Sequence, residues 1–122
     1  MPQQNAQKEY LRRQYIRRIN RVMDYIENHL DGELNLETLA RVASFSPFHF
    51  HRLFTAMTGE TLNHFIRRTR LERAASLLME KNRFDTISEI AYRCGFTSNA
   101  VFSRSFSDYF GMSPTTFRND GH

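Results

Sequence analysis

The clearest hydrophobic pattern in the chain runs from Ser46 to Met57. Phe50, Leu53, Phe54 and Met57 recur at i, i+3, i+4 and i+7, the spacing of one helix face. Ser46 is a good N-cap, and Pro47 suits the first helical position, where its missing N–H costs nothing. At about 100° per residue the opposite face carries Phe48, Arg52 and Thr55, flanked by His51 and Ala56. Upstream, Tyr15, Ile16, Ile19, Val22, Met23, Ile26 and Leu30 keep the helical period and predict a helix from about Tyr10 to Leu30. The polar residues before it, 1–9, are expected to be flexible. Asp31-Gly32 supplies a turn, and Asn35 caps a short helix, Leu36 to about Ala43, with Leu36, Leu39, Ala40 and Ala43 inward. Thr58-Gly59 closes the Pro47 helix, and Thr61 caps a longer one, from Leu62 to about Met79 or Lys81. Its apolar positions are Leu62, Phe65, Ile66, Leu71, Ala74, Ala75, Leu77 and Leu78, and its polar side holds Arg67, Arg68, Arg70 and Arg73.

After a turn at Asn82–Asp85, Thr86-Ile-Ser-Glu89 reads as a capping box, in which the Thr oxygen and the Glu carboxylate satisfy end N–H groups reciprocally. Ile87, Ile90, Ala91 and Cys94 face inward from the helix it opens. Ser98 caps a further helix, Asn99 to Phe110, with Phe102, Phe106 and Tyr109 inward, Arg104 opposite them and Ala100 and Ser107 beside it. Ser113-Pro114 starts a last turn through Phe117. No segment shows the sustained alternation of a strand. The expected fold is all-α, with about seven helices.

The second half repeats the first. Leu36, Leu39, Ala40, Ala43 and Phe45 return 51 positions later as Ile87, Ile90, Ala91, Cys94 and Phe96. Phe54, Gly59, Thr61 and Phe65 return 52 positions later as Phe106, Gly111, Ser113 and Phe117. Each copy is a short helix, a tight turn and a longer helix, the helix-turn-helix arrangement whose second helix can enter a major groove. The expected organisation is a first unit over 10–60, a linker helix over 61–81, a second unit over 82–118 and a tail over 119–122. At about 1.5 Å per residue, a linker of about 18 residues spans about 27 Å. With its flanking helices, that suits two recognition helices meeting successive major grooves about 34 Å apart on one face of a duplex.

Composition sharpens this picture. The 122 residues carry 17 Lys and Arg against 13 Asp and Glu, net +4, and only Lys8 and Lys81 are Lys. Arg is the forked donor suited to phosphate and guanine, so the balance favours a polyanionic partner. A single Cys excludes an intrachain disulfide and fits a reducing, cytoplasmic compartment. No apolar run reaches transmembrane length. His49 and His51, two apart on a helix, lie on different sides without a carboxylate or Cys beside them, so no metal site is expected. Phe48 either faces a base or folds back over Pro47 as a hydrophobic staple. Cys94 takes the inward position that Ala43 holds in the first copy, which suits buried filler rather than a nucleophile. The N–H groups after Ser113, with Thr115 and Thr116, and the helix start at Thr61 are caps or phosphate cradles.

The run from Ile87 through Gly95-Phe96-Thr97 and Phe102-Ser-Arg104 to Gly111-Met-Ser-Pro114 and Phe117-Arg118 is similar to the signature of the AraC/XylS family of bacterial transcription regulators. The first copy matches more loosely, in Leu39-Ala40, Phe50-His51-Arg52-Leu53-Phe54 and Gly59-Glu60-Thr61-Leu62. The resemblance covers about Arg17 to Arg118 and is closest in layout to the family's small single-module regulators. It implies a double-stranded DNA-binding regulator, an activator that acts on RNA polymerase, binding as a monomer through two recognition helices and using no cofactor. The implied base-facing residues are Phe48, His51, Arg52, Asn99, Ala100, Val101, Ser103 and Arg104, with Thr55 added from the helical phase. Expected phosphate contacts are Arg17, Arg41, Thr61, Arg67, Ser107, Thr115 and Thr116. Family members usually carry a ligand-sensing domain, for which 122 residues leave no room. The expectation is a stand-alone regulator or a module whose partner follows residue 122. Two other classes fit parts of the pattern: a helical adaptor for an acidic protein, and a DNA alkyl-repair module using Cys94.

Overall fold

The computed structural model of the chain describes residues 2–83 and 85–120, with side chains from Asn5 onward. Seven helices and no strand occur among the described residues: α1 Pro2–Asn28, α2 Leu36–Val42, α3 Pro47–Thr58, α4 Leu62–Leu78, α5 Ile87–Arg93, α6 Asn99–Phe110 and α7 Pro114–Asp120. The chain divides into two compact units, Met1–His29 with Leu34–Leu62, and Leu30–Glu33 with Asn63–His122.

In the first unit, Ile19, Val22 and Ile26 of α1, Leu39 and Ala40 of α2, and Phe50 and Phe54 of α3 are all buried. Helix α1 starts at Pro2, not at Tyr10, so residues 2–9 of the expected flexible segment are helical, and Met1 lies outside the described residues. Proline is pre-organised for a helix's first position, and Ala6, Gln7, Lys8 and Glu9 are good helix formers. It ends at Asn28, and Leu30 is buried in the second unit.

In the second unit Leu71, Ala74, Ala75 and Leu78 of α4 pack with Ile90, Ala91, Cys94, Phe102 and Phe106 into one core, against which Phe96, Phe110 and Phe117 rest. The C-terminal half of the expected linker helix, Leu71–Leu78, is therefore part of this core. Tyr109, expected inward, is 44% exposed and donates its hydroxyl to Glu72 Oε1 at 3.0 Å. Phe110 takes the inner place, 4.5 Å from the Phe106 ring and 5.3 Å from Phe117. The phenol needs a polar partner, whereas the neighbouring phenyl does not. Helix α7 runs on to Asp120. Phe84 in the expected turn, and the tail residues Gly121 and His122, lie outside the described residues.

Candidate nucleic-acid interface

Each unit builds the later helix of its helix-turn-helix pair in the same way. In the first, Asn35 Oδ1 accepts the Thr38 N–H at 2.8 Å and starts α2. Ser44 turns the chain at φ 60°, and the Phe45 N–H returns to the Ala40 carbonyl at 2.9 Å. Ser46 then caps α3 by accepting the His49 N–H, and Gly59 ends it at φ 77°. In the second, Thr86 and Glu89 form the complete capping box. Gly95 turns at φ 94°, and the Phe96 N–H returns to the Ala91 carbonyl, again at 2.9 Å. Ser98 caps α6 and Gly111 ends it at φ 77°. The inward pairs also match: Phe50 and Phe54 lie 5.7 Å apart at 53°, Phe102 and Phe106 5.6 Å apart at 54°. All four rings are fully buried. Burial of about 1.5–3 kcal/mol per ring holds each helix in one rotational setting and so decides which side chains face out.

On α3 that outer face presents Phe48, His51 and Arg52, all exposed. Phe48 is 73% exposed, so it does not fold back as a staple; the Arg52 guanidinium sits 5.7 Å from its ring centre. Thr55, near the inner edge of that face, is half-buried, and its hydroxyl oxygen is shut off from solvent without a hydrogen-bond partner among the described residues. On α6, Asn99, Ala100, Val101, Ser103 and Arg104 are all exposed. Asn99 Nδ2 also donates to Ser88 Oγ on α5, which ties the start of α6 to the preceding helix.

Among the expected phosphate contacts, Arg17, Arg41, Thr61, Arg67, Thr115 and Thr116 are exposed and Ser107 is half-buried. Thr116 is partly used internally: its N–H donates to Ser113 Oγ at 3.1 Å, and the Ser113 hydroxyl donates to Thr116 Oγ1 at 2.9 Å. Several other arginines serve the fold. Arg18 covers the Phe45 ring at 4.6 Å, and Arg21 donates to the Val42 carbonyl at 3.3 Å, so both brace the first turn. Arg70 donates to the carbonyls of Leu30 and Gly32, each at 3.1 Å, and burial lowers its pKa. Asp85 takes Arg83 at 3.2 Å and Arg93 at 3.0 Å, while its carbonyl accepts from Arg118. Sequence spacing does not signal the long-range straps from Arg18, Arg21, Arg70 and Arg118, so the arginine count overstates the set left for a polyanion.

Cys94 is 1% exposed, and burial pushes its thiol up to about 11 from 9.0. The thiolate is the nucleophile, so this group is poorly suited to alkyl transfer. The His49 ring packs edge-on against Phe45 at 5.0 Å and Tyr15 at 6.1 Å. No group of three or more metal-ligating side chains occurs among the described residues, and no described helix is long and apolar enough to cross a membrane.

This duplicated geometry has relatives. Residues 39–120 match the model of a helix-turn-helix domain family. The chain belongs to the AraC-type family of helix-turn-helix transcription regulators. It is 33% identical over 100 residues to the multiple antibiotic resistance protein MarA of Escherichia coli K12, covering 82% of this chain and 77% of MarA. It is 34% identical over 105 residues to LumQ of Photobacterium leiognathi, where it spans 84% of this chain but only 42% of LumQ. Among solved structures, the DNA-binding domain of the global transcriptional factor AdpA, in complex with a target DNA, superposes with a TM-score of 0.76 at 29% identity, covering 84% of this chain and 90% of that one.

Proposed function

We propose that this AraC-type chain is a sequence-specific double-stranded DNA-binding regulator that reads two adjacent major grooves as a monomer, one with α3 and one with α6. The observation that carries this reading is the repeat of one construction. Two N-capped helices, each seated by a buried Phe pair, turn Phe48, His51 and Arg52 in one unit, and Asn99, Val101, Ser103 and Arg104 in the other, to solvent. Forked guanidinium groups suit guanine O6 and N7, and the exposed apolar side chains Phe48 and Val101 suit thymine methyls. Arg17, Arg41 and Arg67, with Thr61, Ser107, Thr115 and Thr116, set the register by phosphate contact. The AdpA domain, similar to this chain, is seen on its target DNA, which supports the same use here. The regulator works in the cytoplasm and acts on RNA polymerase as an activator.

The test is affinity for a selected site against salt. Four to six neutralised phosphates predict a log–log slope of about −4 to −5. A flat plot, or equal binding to scrambled duplex, would overturn the reading.

A further inference from the structure

Within the first unit, α1 and α3 enclose an open groove of 530 Å³ whose apolar walls are Leu11, Tyr15 and Ile16 of α1 and Leu53 and Met57 of α3. Leu11 is 51% exposed, Ile16 40% and Met57 39%. The neighbouring Tyr10 is 62% exposed and continues the apolar surface along α1. None of these side chains belongs to the outer face of α3 that carries Phe48 and Arg52. The apolar residues stand one turn apart on both walls, Leu11 with Tyr15 and Leu53 with Met57. That is the spacing an incoming helix offers at i, i+4 and i+7. Lys8 and Arg12, also one turn apart, line the same groove.

Charge selects the occupant. Between residues 5 and 21, α1 holds six cations, Lys8, Arg12, Arg13, Arg17, Arg18 and Arg21, against one anion, Glu9, which pairs with Arg13 at 3.4 Å. Two copies of this segment would repel one another along their length. A nucleic acid would satisfy the cations but leave the apolar walls facing water. We propose that the groove between α1 and α3 is a docking site for an acidic amphipathic helix of a protein partner. The partner's large apolar side chains fill the space between Leu11, Ile16, Leu53 and Met57, and its carboxylates meet Lys8 and Arg12. The outer face of α3 stays free, so partner and DNA are held at once.

The test uses the full chain and three fluorescein-labelled synthetic helical peptides. One carries leucines at i, i+4, i+7 and i+11 with glutamates along one flank. The second has lysines in place of the glutamates, and the third is the first peptide scrambled. Fluorescence anisotropy should show saturable binding of the acidic peptide only. Leu11→Asp with Ile16→Asp should weaken it by about tenfold or more, since a carboxylate would be desolvated in the groove. Lys8→Glu with Arg12→Glu should reverse the preference toward the lysine peptide. Circular dichroism and DNA affinity, measured on the same variants, separate loss of fold or of DNA binding from loss of docking. Equal binding of all three peptides, or no saturable binding of the acidic one, would overturn the proposal. So would self-association of the wild-type chain in sedimentation that Leu11→Asp abolishes, because a second copy would then be the occupant.

Discussion

Replacing Gly95 with Ala is the most exacting test of the turn that seats α6. Gly95 sits at φ +94°, and a Cβ there would lie 2.0 Å from the Leu30 carbonyl oxygen and 2.5 Å from Arg70 Nε. Arg70 Nε donates a hydrogen bond to that carbonyl oxygen, so neither can move without loosening the strap from α4 to the Leu30–Gly32 segment. The left-handed conformation costs an alanine about 1–2 kcal/mol. Losing a hydrogen bond to a charged group adds about 1.5–3 kcal/mol. Together they predict a loss of about 2.5–5 kcal/mol, a large share of an ordinary domain's stability. Gly111 is the internal control: its φ is +77°, but no atom lies within 4 Å of its would-be Cβ. Gly111→Ala should therefore cost only about 1–2 kcal/mol, the backbone strain alone. Urea unfolding followed by circular dichroism would compare the two. Equal midpoints would refute the argument, because the contact with Leu30 and Arg70 is the main difference between the sites.

Arg52→Ala and Arg104→Ala should each cost about 1–3 kcal/mol on cognate DNA with unfolding midpoints unchanged, read by titration and denaturation side by side. Thr55→Val removes a buried hydroxyl that has no hydrogen-bond partner among the described residues, so stability should hold or rise by about 1 kcal/mol and DNA affinity should not change; a loss of affinity would mean that Thr55 contacts a base. Cys94 should resist maleimide at pH 8 in the native protein and react once unfolded. Because its folded pKa is raised, its contribution to stability is complete below about pH 9.0 and fades as pH climbs toward 11. Cys94→Ala, which copies Ala43 of the first unit, should flatten that decline relative to wild type while DNA binding persists.

Local chemistry in the chain was enough to specify the helices from α2 to α6, the caps of α2, α3, α5 and α6, and the repeat. An N-cap, a 3.6-residue apolar period and a terminal glycine act within a few residues of each other, so Ser46 with Phe50 and Phe54, and Ser98 with Phe102 and Phe106, announce α3 and α6 before any folding. The same period places Phe48, Arg52 and Arg104 outward. Where a choice depends on atoms distant in the chain, the pattern is silent. Tyr109 and Phe110 are equally apolar by period, and only Glu72 on another helix draws the phenol out. Arg17, Arg18, Arg21 and Arg70 look alike as letters. Only the folded chain brings Phe45, Val42 and Leu30 within reach of the last three, which makes them braces and leaves Arg17 to solvent. Thr55 shows the same limit within a single helix: its angle on the wheel is outward, but burial is set by how closely neighbouring elements pack, and packing belongs to the tertiary structure.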